Sequence, residues 1–105
     1  MSFEVEAEEL KRALDAGEEL VVVDVREPWE FQMGHLADAM NLPLSQLGNR
    51  IDELNPEHDH VLYCHHGVRS LRATMALSQR GFRARSLHGG IDRWSEAIDP
   101  SIPRY

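Results

Sequence analysis

Apolar positions along the chain follow two periods in alternation, which predicts strands and helices in turn. Residues 20–23 form an uninterrupted, β-branched run that is typical of a central strand buried on both faces. Residues 60–63 form a second short apolar segment, and residues 84–88 are expected to form the last strand. These segments predict a sheet of short strands separated by helical stretches.

Apolar side chains at spacings of three and four predict helices between the strands. The predicted buried faces are Phe3, Ala7, Leu10 and Leu14; Leu44, Leu47, Ile51 and Leu54; Leu71, Thr74, Met75 and Ser78; and Ile91, Trp94 and Ile98. Pro28 predicts the first turn of another, short helix. Because right-handed crossovers between parallel strands place helices on both faces of a sheet, we expect an α/β fold with a mostly parallel central sheet.

Chain length and cysteine content limit the class of protein. A chain of 105 residues fits a single domain over residues 1–105, and its one cysteine excludes an internal disulfide. The expected environment is therefore reducing and cytoplasmic. The first six residues lack the basic start and apolar run of a signal peptide, and residues 20–25 are too short an apolar stretch to span a bilayer.

The formal net charge of −7 is unevenly distributed. Residues 1–59 carry fifteen acidic and four basic side chains, whereas residues 60–105 carry seven basic and three acidic ones. The basic half is expected to attract an anionic substrate or an acidic partner. Net acidity and the lack of an interleaved basic and aromatic surface argue against a nucleic-acid partner.

The only cysteine stands between a predicted strand and a predicted helix, at the start of the segment Cys64-His65-His66-Gly67-Val68-Arg69. Ligands of open parallel sheets bind beyond the carboxyl ends of the strands, and the first N–H groups of a helix favour negative charge. Gly67 allows the N–H groups of residues 65–69 to converge on an anion, and Arg69 adds a fixed positive charge. Both features lower the pKa of a thiol and favour the nucleophilic thiolate. The alternative is that Cys64 is a small buried apolar side chain.

Four segments resemble signatures of the rhodanese family of sulfurtransferases, in which a cysteine opens a short loop that an arginine closes. They are residues 64–69; Asp24-Val25-Arg26-Glu27 with Trp29-Glu30-Phe31; Gly34-His35-Leu36 with Ala39 and Asn41-Leu42-Pro43; and Leu87-His88-Gly89-Gly90 with Trp94. The resemblance implies a single rhodanese domain with a compact three-layer fold. The ending through Pro103-Arg104-Tyr105 is similar to that of rhodanese domains fused to sulfur-carrier adenylyltransferases.

The resemblance implies an enzyme that moves sulfane sulfur through a persulfide on the catalytic Cys64. The donor would be thiosulfate or a persulfide, and the acceptor would be thiophilic: cyanide, a thiol or a sulfur-carrier protein. The implied substrate-binding residues are His65, His66, Gly67, Val68 and Arg69. Whether the side chains of His65 and His66 contact substrate or face solvent stays open. Four residues separate Cys64 from Arg69, where related phosphatases and arsenate reductases have five, and the shorter loop disfavours phosphate.

Four further residues are expected to support the loop. Asp24 and Arg26 follow another predicted strand and approach the loop from the side, and a surface ion pair is an equal alternative for them. His35 matches a family signature, although its position predicts no chemical role. Ser70 either hydrogen-bonds Cys64 or caps the following helix.

No cofactor and no metal site are expected. The possible ligands are Cys64, His65, His66 and His88. Their spacing argues against a site, because adjacent histidines do not easily complete a zinc tetrahedron with the cysteine. His58 and His60 flank an acidic loop and are expected to be solvated.

Two departures from the family pattern bear on the donor. Ala37-Asp38 replaces the usual Pro-Gly, and His65 stands where many members carry arginine. The second change weakens the cationic rim and leaves open whether thiosulfate is the physiological donor. A second function is also open: a non-catalytic sulfur- or redox-sensing module that uses the Cys64 loop, since exposed thiols of low pKa also act as sensors.

Overall fold

The structure is a computed structural model and describes residues 3–105. The strands are β1 (Glu4–Val5), β2 (Leu20–Asp24), β3 (Met40–Asn41), β4 (Asp59–Tyr63) and β5 (Arg83–Leu87). The helices are α1 (Ala7–Asp15), α2 (Pro28–Met33), α3 (Val68–Gln79) and α4 (Gly90–Ala97). The strands form one parallel sheet in the order β1-β5-β4-β2-β3, which confirms the expected α/β fold.

The core lies in two layers, one on each face of the sheet. Val22 and Val61 point into a layer that includes buried side chains of α1 and α4. Val23, Leu62 and Cys64 point into the other layer, with buried side chains of α3. Because successive strand residues point to opposite faces, an uninterrupted apolar run fills both layers. The three-layer arrangement is therefore confirmed, and Cys64 lies on the α3 side.

The carboxyl ends of the central strands meet at one edge of the sheet. Asp24 at the end of β2 is in register with Tyr63 at the end of β4. Leu62 in β4 is in register with Ser86, one residue before the end of β5. The segments that follow Asp24, Tyr63 and Leu87 therefore begin side by side, and they carry the residues of the candidate site.

The prediction of one continuous helix over residues 44–54 is wrong. The segment forms two short 3-10 turns, Leu44–Gln46 and Ile51–Glu53. Gly48 and Asn49, which lie between the turns, have low helix propensity, so a continuous helix is disfavoured. Leu47, which directly follows the first turn, is still buried in the core layer on the α3 side.

Three smaller expectations also differ from the structure. Phe3 lies outside the first helix, because residues 4–5 pair with β5 and α1 begins at Ala7. The buried face of α3 is Ser70, Ala73, Thr74 and Leu77, whereas Met75 is exposed. His60 is 1% exposed rather than solvated. It lies in β4 beside β5, where its Nδ1 is 3.1 Å from the carbonyl oxygen of Arg83. Within residues 3–105, no helix has the length and apolar character needed to cross a membrane.

Candidate active site

Cys64 directly follows β4, and its side chain is buried at the start of the loop at residues 64–69. Its Sγ accepts hydrogen bonds from the backbone N–H groups of Gly67 at 3.1 Å and Ser70 at 3.3 Å. Gly67 precedes α3 with a φ of 107°, a conformation that favours glycine. The loop and the first turn of α3 therefore direct N–H groups at the sulfur, where such donors stabilise negative charge. Val68, the first residue of α3, is exposed.

The N-terminus of α4 holds the opposite side of the loop backbone. The N–H of Ile91 donates to the carbonyl of Cys64 at 2.8 Å, and the N–H of Asp92 donates to the carbonyl of His65 at 3.1 Å. Gly90, with a φ of 62°, lies so close to these carbonyls that a Cβ would overlap them. The carbonyls therefore face α4, away from the N–H groups that surround the sulfur.

Two buried serine hydroxyls lie beside the sulfur. The Oγ of Ser70 is 3.4 Å from the Sγ of Cys64 and 2.7 Å from the Oγ of Ser86. Gly67 occupies the N-cap position of α3, so Ser70 lies inside the first turn and contacts the cysteine instead of capping. The pair gives the sulfur a hydroxyl neighbour that is itself hydrogen-bonded.

Arg69 closes the loop, and its charge is balanced by Glu30 of α2. Its Nη1 and Nη2 donate to the two carboxylate oxygens at 2.7 and 3.0 Å. Burial opposes the ionisation of Glu30, but hydrogen bonds from Arg69 and Tyr105 lower its pKa to about 2. The same hydrogen bonds to Glu30 raise the pKa of Arg69. Arg69 is therefore half of a partly buried ion pair, and the fixed positive charge expected at the loop is balanced by a carboxylate.

Asp24 and Arg26 form a buried ion pair rather than a surface one. The Nη2 of Arg26 lies 2.7 Å from Oδ2 of Asp24 and also donates to the carbonyl of Gly34 at 2.7 Å. Burial disfavours the charge of Arg26, yet hydrogen bonds to Asp24 and Tyr105 raise its pKa. Asp24 is paired in the sheet with Tyr63, the residue before the cysteine. The pair therefore supports the strand ends and the neighbouring chain segments.

The two histidines of the loop occupy different environments. The ring of His65 stacks between those of His66 and Tyr105, with centroid distances of 3.9 Å on each side. Burial lowers the pKa of His65, and the nearby His66 lowers it further. His66 is exposed. His35 is also exposed, and its ring stacks on Phe31 at 3.8 Å.

One group among residues 3–105 has the donor atoms of a metal site. The ligand atoms of His65, His66 and Asp92 lie within 4.8 Å of one another. Both carboxylate oxygens of Asp92 accept hydrogen bonds from Arg104, at 2.9 and 3.0 Å. A cation would therefore have to displace this arginine, which makes the group a poor fit to a resident metal.

A cysteine at the end of a parallel strand, whose sulfur accepts N–H bonds from an arginine-closed loop, agrees with the family signatures in the sequence. A family model described as a rhodanese-like domain matches residues 6–97. The chain belongs to the rhodanese-like family. This membership covers nearly the whole α/β unit, from the residue before α1 to the end of α4.

The chain is similar in sequence to three known proteins. It is 37% identical over 96 residues to a protein of Allochromatium vinosum named "Sulfurtransferase", with 90% of each chain covered. It is 37% identical over 100 residues to the probable adenylyltransferase/sulfurtransferase MoeZ of Mycobacterium tuberculosis, covering 92% of this chain but 26% of that protein. A solved rhodanese-related protein of Thermoplasma volcanium is 34% identical, with a TM-score of 0.84 over 90% of this chain and 92% of that one. The expected resemblance to adenylyltransferase-linked rhodanese domains is confirmed.

Sequence reasoning did not assign roles to four residues of this rhodanese site. Glu30 and Gly90 lie within the quoted family signatures, so an acid between two aromatic residues and a pair of adjacent glycines were the available signals. Ser86 is a polar residue inside a predicted strand, which is a weak signal. Tyr105 is 79 residues from its hydrogen-bond partner Arg26, and nothing local in the sequence predicts that contact.

Proposed function

We propose that the protein is a sulfurtransferase in which Cys64 carries sulfane sulfur as a persulfide. The observation that carries this proposal is the pair of N–H bonds to the cysteine sulfur, from Gly67 and Ser70 at 3.1 and 3.3 Å. These donors stabilise negative charge on sulfur before and after transfer, as in an oxyanion hole. Family membership and a full-length relative named a sulfurtransferase support the same reaction class.

The reaction has two displacement steps on sulfur. In the first, the Cys64 thiolate attacks the outer sulfur of thiosulfate, the S–S bond of the donor breaks, and sulfite leaves with the bonding electron pair. In the second, an acceptor such as cyanide attacks the terminal sulfur of the persulfide. The new S–C bond gives thiocyanate, and the Cys64 thiolate is regenerated. No external oxidant or reductant is required.

The loop residues supply binding in this proposal. The N–H groups of residues 65–69 and the guanidinium of Arg69 would face the anionic group of the donor, and His65, His66 and Val68 would form the rim. Four residues between Cys64 and Arg69 give a loop suited to a small reacting atom such as sulfur rather than to a phosphoryl group. Because Arg69 is paired with Glu30, a less anionic persulfide donor is as consistent with the site as thiosulfate.

The proposed physiological acceptor is a thiol or a sulfur-carrier protein. Its support is the similarity to the adenylyltransferase/sulfurtransferase MoeZ, of which this chain spans 26%. The sensing alternative receives less support. A sensor would use the same buried Cys64 and the same N–H donors, and the relative named "Sulfurtransferase" favours the enzyme.

The test is the intact mass of the reduced protein after exposure to thiosulfate, beside a Cys64→Ser control. We expect the wild type alone to gain one sulfur atom, and cyanide to reverse the gain with release of thiocyanate. A thiol that alkylates rapidly but gains no sulfur would rule out thiosulfate as donor. Loading without release to cyanide or thiols would favour the sensor.

A further inference from the structure

The segment that follows α4 brings Tyr105 to the cysteine loop. Ile102 is 7% exposed and packs in the α4 layer of the core, and its carbonyl accepts a hydrogen bond from the Oγ of Ser95 at 2.6 Å. Arg104 then pairs with both carboxylate oxygens of Asp92, at 2.9 and 3.0 Å. These contacts with α4 fix the backbone on both sides of residue 103, so the path to Tyr105 is defined.

The side chain of Tyr105 connects the two ends of the loop. Its ring is parallel to that of His65 within 8°, with centroids 3.9 Å apart. Its hydroxyl donates to Oε2 of Glu30 at 2.6 Å and accepts from Nη1 of Arg26 at 2.9 Å. Glu30 in turn binds Arg69, the last residue of the loop. Tyr105 therefore contacts the loop near its first residue and, through one carboxylate, at its last.

We infer that Tyr105 is a positioning residue for sulfur transfer: it orients the Glu30 carboxylate and thereby holds the Arg69 guanidinium where the anionic group of the donor binds. This inference rests on the proposed function. A short hydrogen bond to a carboxylate is among the stronger ones, and it fixes direction as well as distance. Without it, one oxygen of Glu30 keeps a single partner, and the Arg69 side chain samples more positions. Small displacements of such groups weaken substrate binding measurably.

The test is the steady-state transfer of sulfur from thiosulfate to cyanide by Tyr105→Phe. This variant keeps the ring stack and removes the hydroxyl. We expect KM for thiosulfate to rise about three- to tenfold while kcat stays within twofold, since the interaction acts on donor binding. Ser101→Ala is the matched control, because it removes an exposed hydroxyl of the same segment, which donates to Oδ1 of Asp99. A KM for Tyr105→Phe within twofold of both wild type and control overturns the inference.

A second readout is independent of sulfur transfer. The rates of alkylation of Cys64 by anionic iodoacetate and neutral iodoacetamide are compared in each variant, and their ratio reports the placement of positive charge at the loop. We expect the ratio to fall at least threefold in Tyr105→Phe and to stay unchanged in Ser101→Ala. If the wild type takes up no sulfur from thiosulfate, thiosulfate is excluded as the donor, and this ratio still decides the role of Tyr105. An unchanged ratio overturns it.

Discussion

Gly90 provides the sharpest test of how the cysteine loop is held. Its φ of 62° costs an alanine roughly 1 to 2 kcal/mol. A Cβ there would also overlap the carbonyls of Cys64 and His65, so Gly90→Ala must move α4 away from the loop. That movement weakens the hydrogen bonds from Ile91 and Asp92 to these carbonyls, each worth about 0.5 to 1.5 kcal/mol. The expected loss in the free energy of unfolding is therefore about 2 to 5 kcal/mol.

Gly81→Ala is the matched control for this substitution. Gly81 also has a positive φ, 86°, but a Cβ added to it has no atom of residues 3–105 within 4 Å apart from its own chain neighbours. It should lose only the conformational cost, roughly 1 to 2 kcal/mol. Equilibrium urea unfolding measures both variants, and thiosulfate loading followed by mass measures the loop. We expect Gly90→Ala to load sulfur at least tenfold more slowly and Gly81→Ala to load as the wild type does.

Equal destabilisation of the two variants, within about 0.5 kcal/mol, would refute this reasoning, since the conformational cost alone would then explain Gly90. Normal sulfur loading by a destabilised Gly90→Ala protein would refute the role of Gly90 at the site. The contact with α4 would then stabilise the fold without positioning the N–H groups around Cys64. The two measurements thus separate the structural role of Gly90 from its role at the site.

Three other substitutions test the remaining contacts. Glu30→Gln should lower the free energy of unfolding by about 1 to 3 kcal/mol in urea, because a buried carboxylate with charged partners is lost, whereas Glu53→Gln in an exposed pair should leave it nearly unchanged. Ser70→Ala should lower the free energy of unfolding by about 1 to 3 kcal/mol, because the buried Cys64 thiol and Ser86 hydroxyl both lose a hydrogen-bond partner, and an unchanged free energy of unfolding would contradict that role. Burial lowers the pKa of His60 below its usual 6.5, so its contribution to stability is complete above pH 6.5 and is lost as the pH falls below it. His60→Leu should therefore flatten the decline in the free energy of unfolding below pH 6.5, and an equally steep decline would exclude His60 as its source.

The parts of the fold that follow from local pattern were predictable. The apolar run at residues 20–23 and the segment before Cys64 gave strands in the right places, because burial on both faces requires uninterrupted apolar sequence. The stripe at residues 44–54 predicted burial correctly but not helix. Periodicity reports which side chains face the core, and a chain of short turns satisfies it as well as a helix does.

The candidate site also has a part that local sequence predicts and a part that it does not. The position of Cys64 and the need for glycine at residue 67 follow from a strand, a loop and a helix that are adjacent in sequence. The partners of the loop arginine and of the sulfur come from elsewhere. Glu30 is 39 residues from Arg69, and Ser86 is 16 residues from Ser70. Such contacts depend on strand order, which the local sequence does not encode.

Folding partly cancels the charge asymmetry between the two halves of the sequence. Basic side chains of the second half pair with acidic side chains of the first: Arg69 with Glu30, Arg83 with Asp59, and Arg93 with Glu8. The sheet brings the two halves together, so the positive charge of Arg69 at the loop is balanced by the carboxylate of Glu30. In the proposed reaction, the donor anion would therefore be bound by the N–H groups of the loop and of α3 together with an Arg69 guanidinium that is already paired with Glu30. The backbone conformation directs those N–H groups, and it depends on Gly67, on Gly90 and on the contact of the loop with α4.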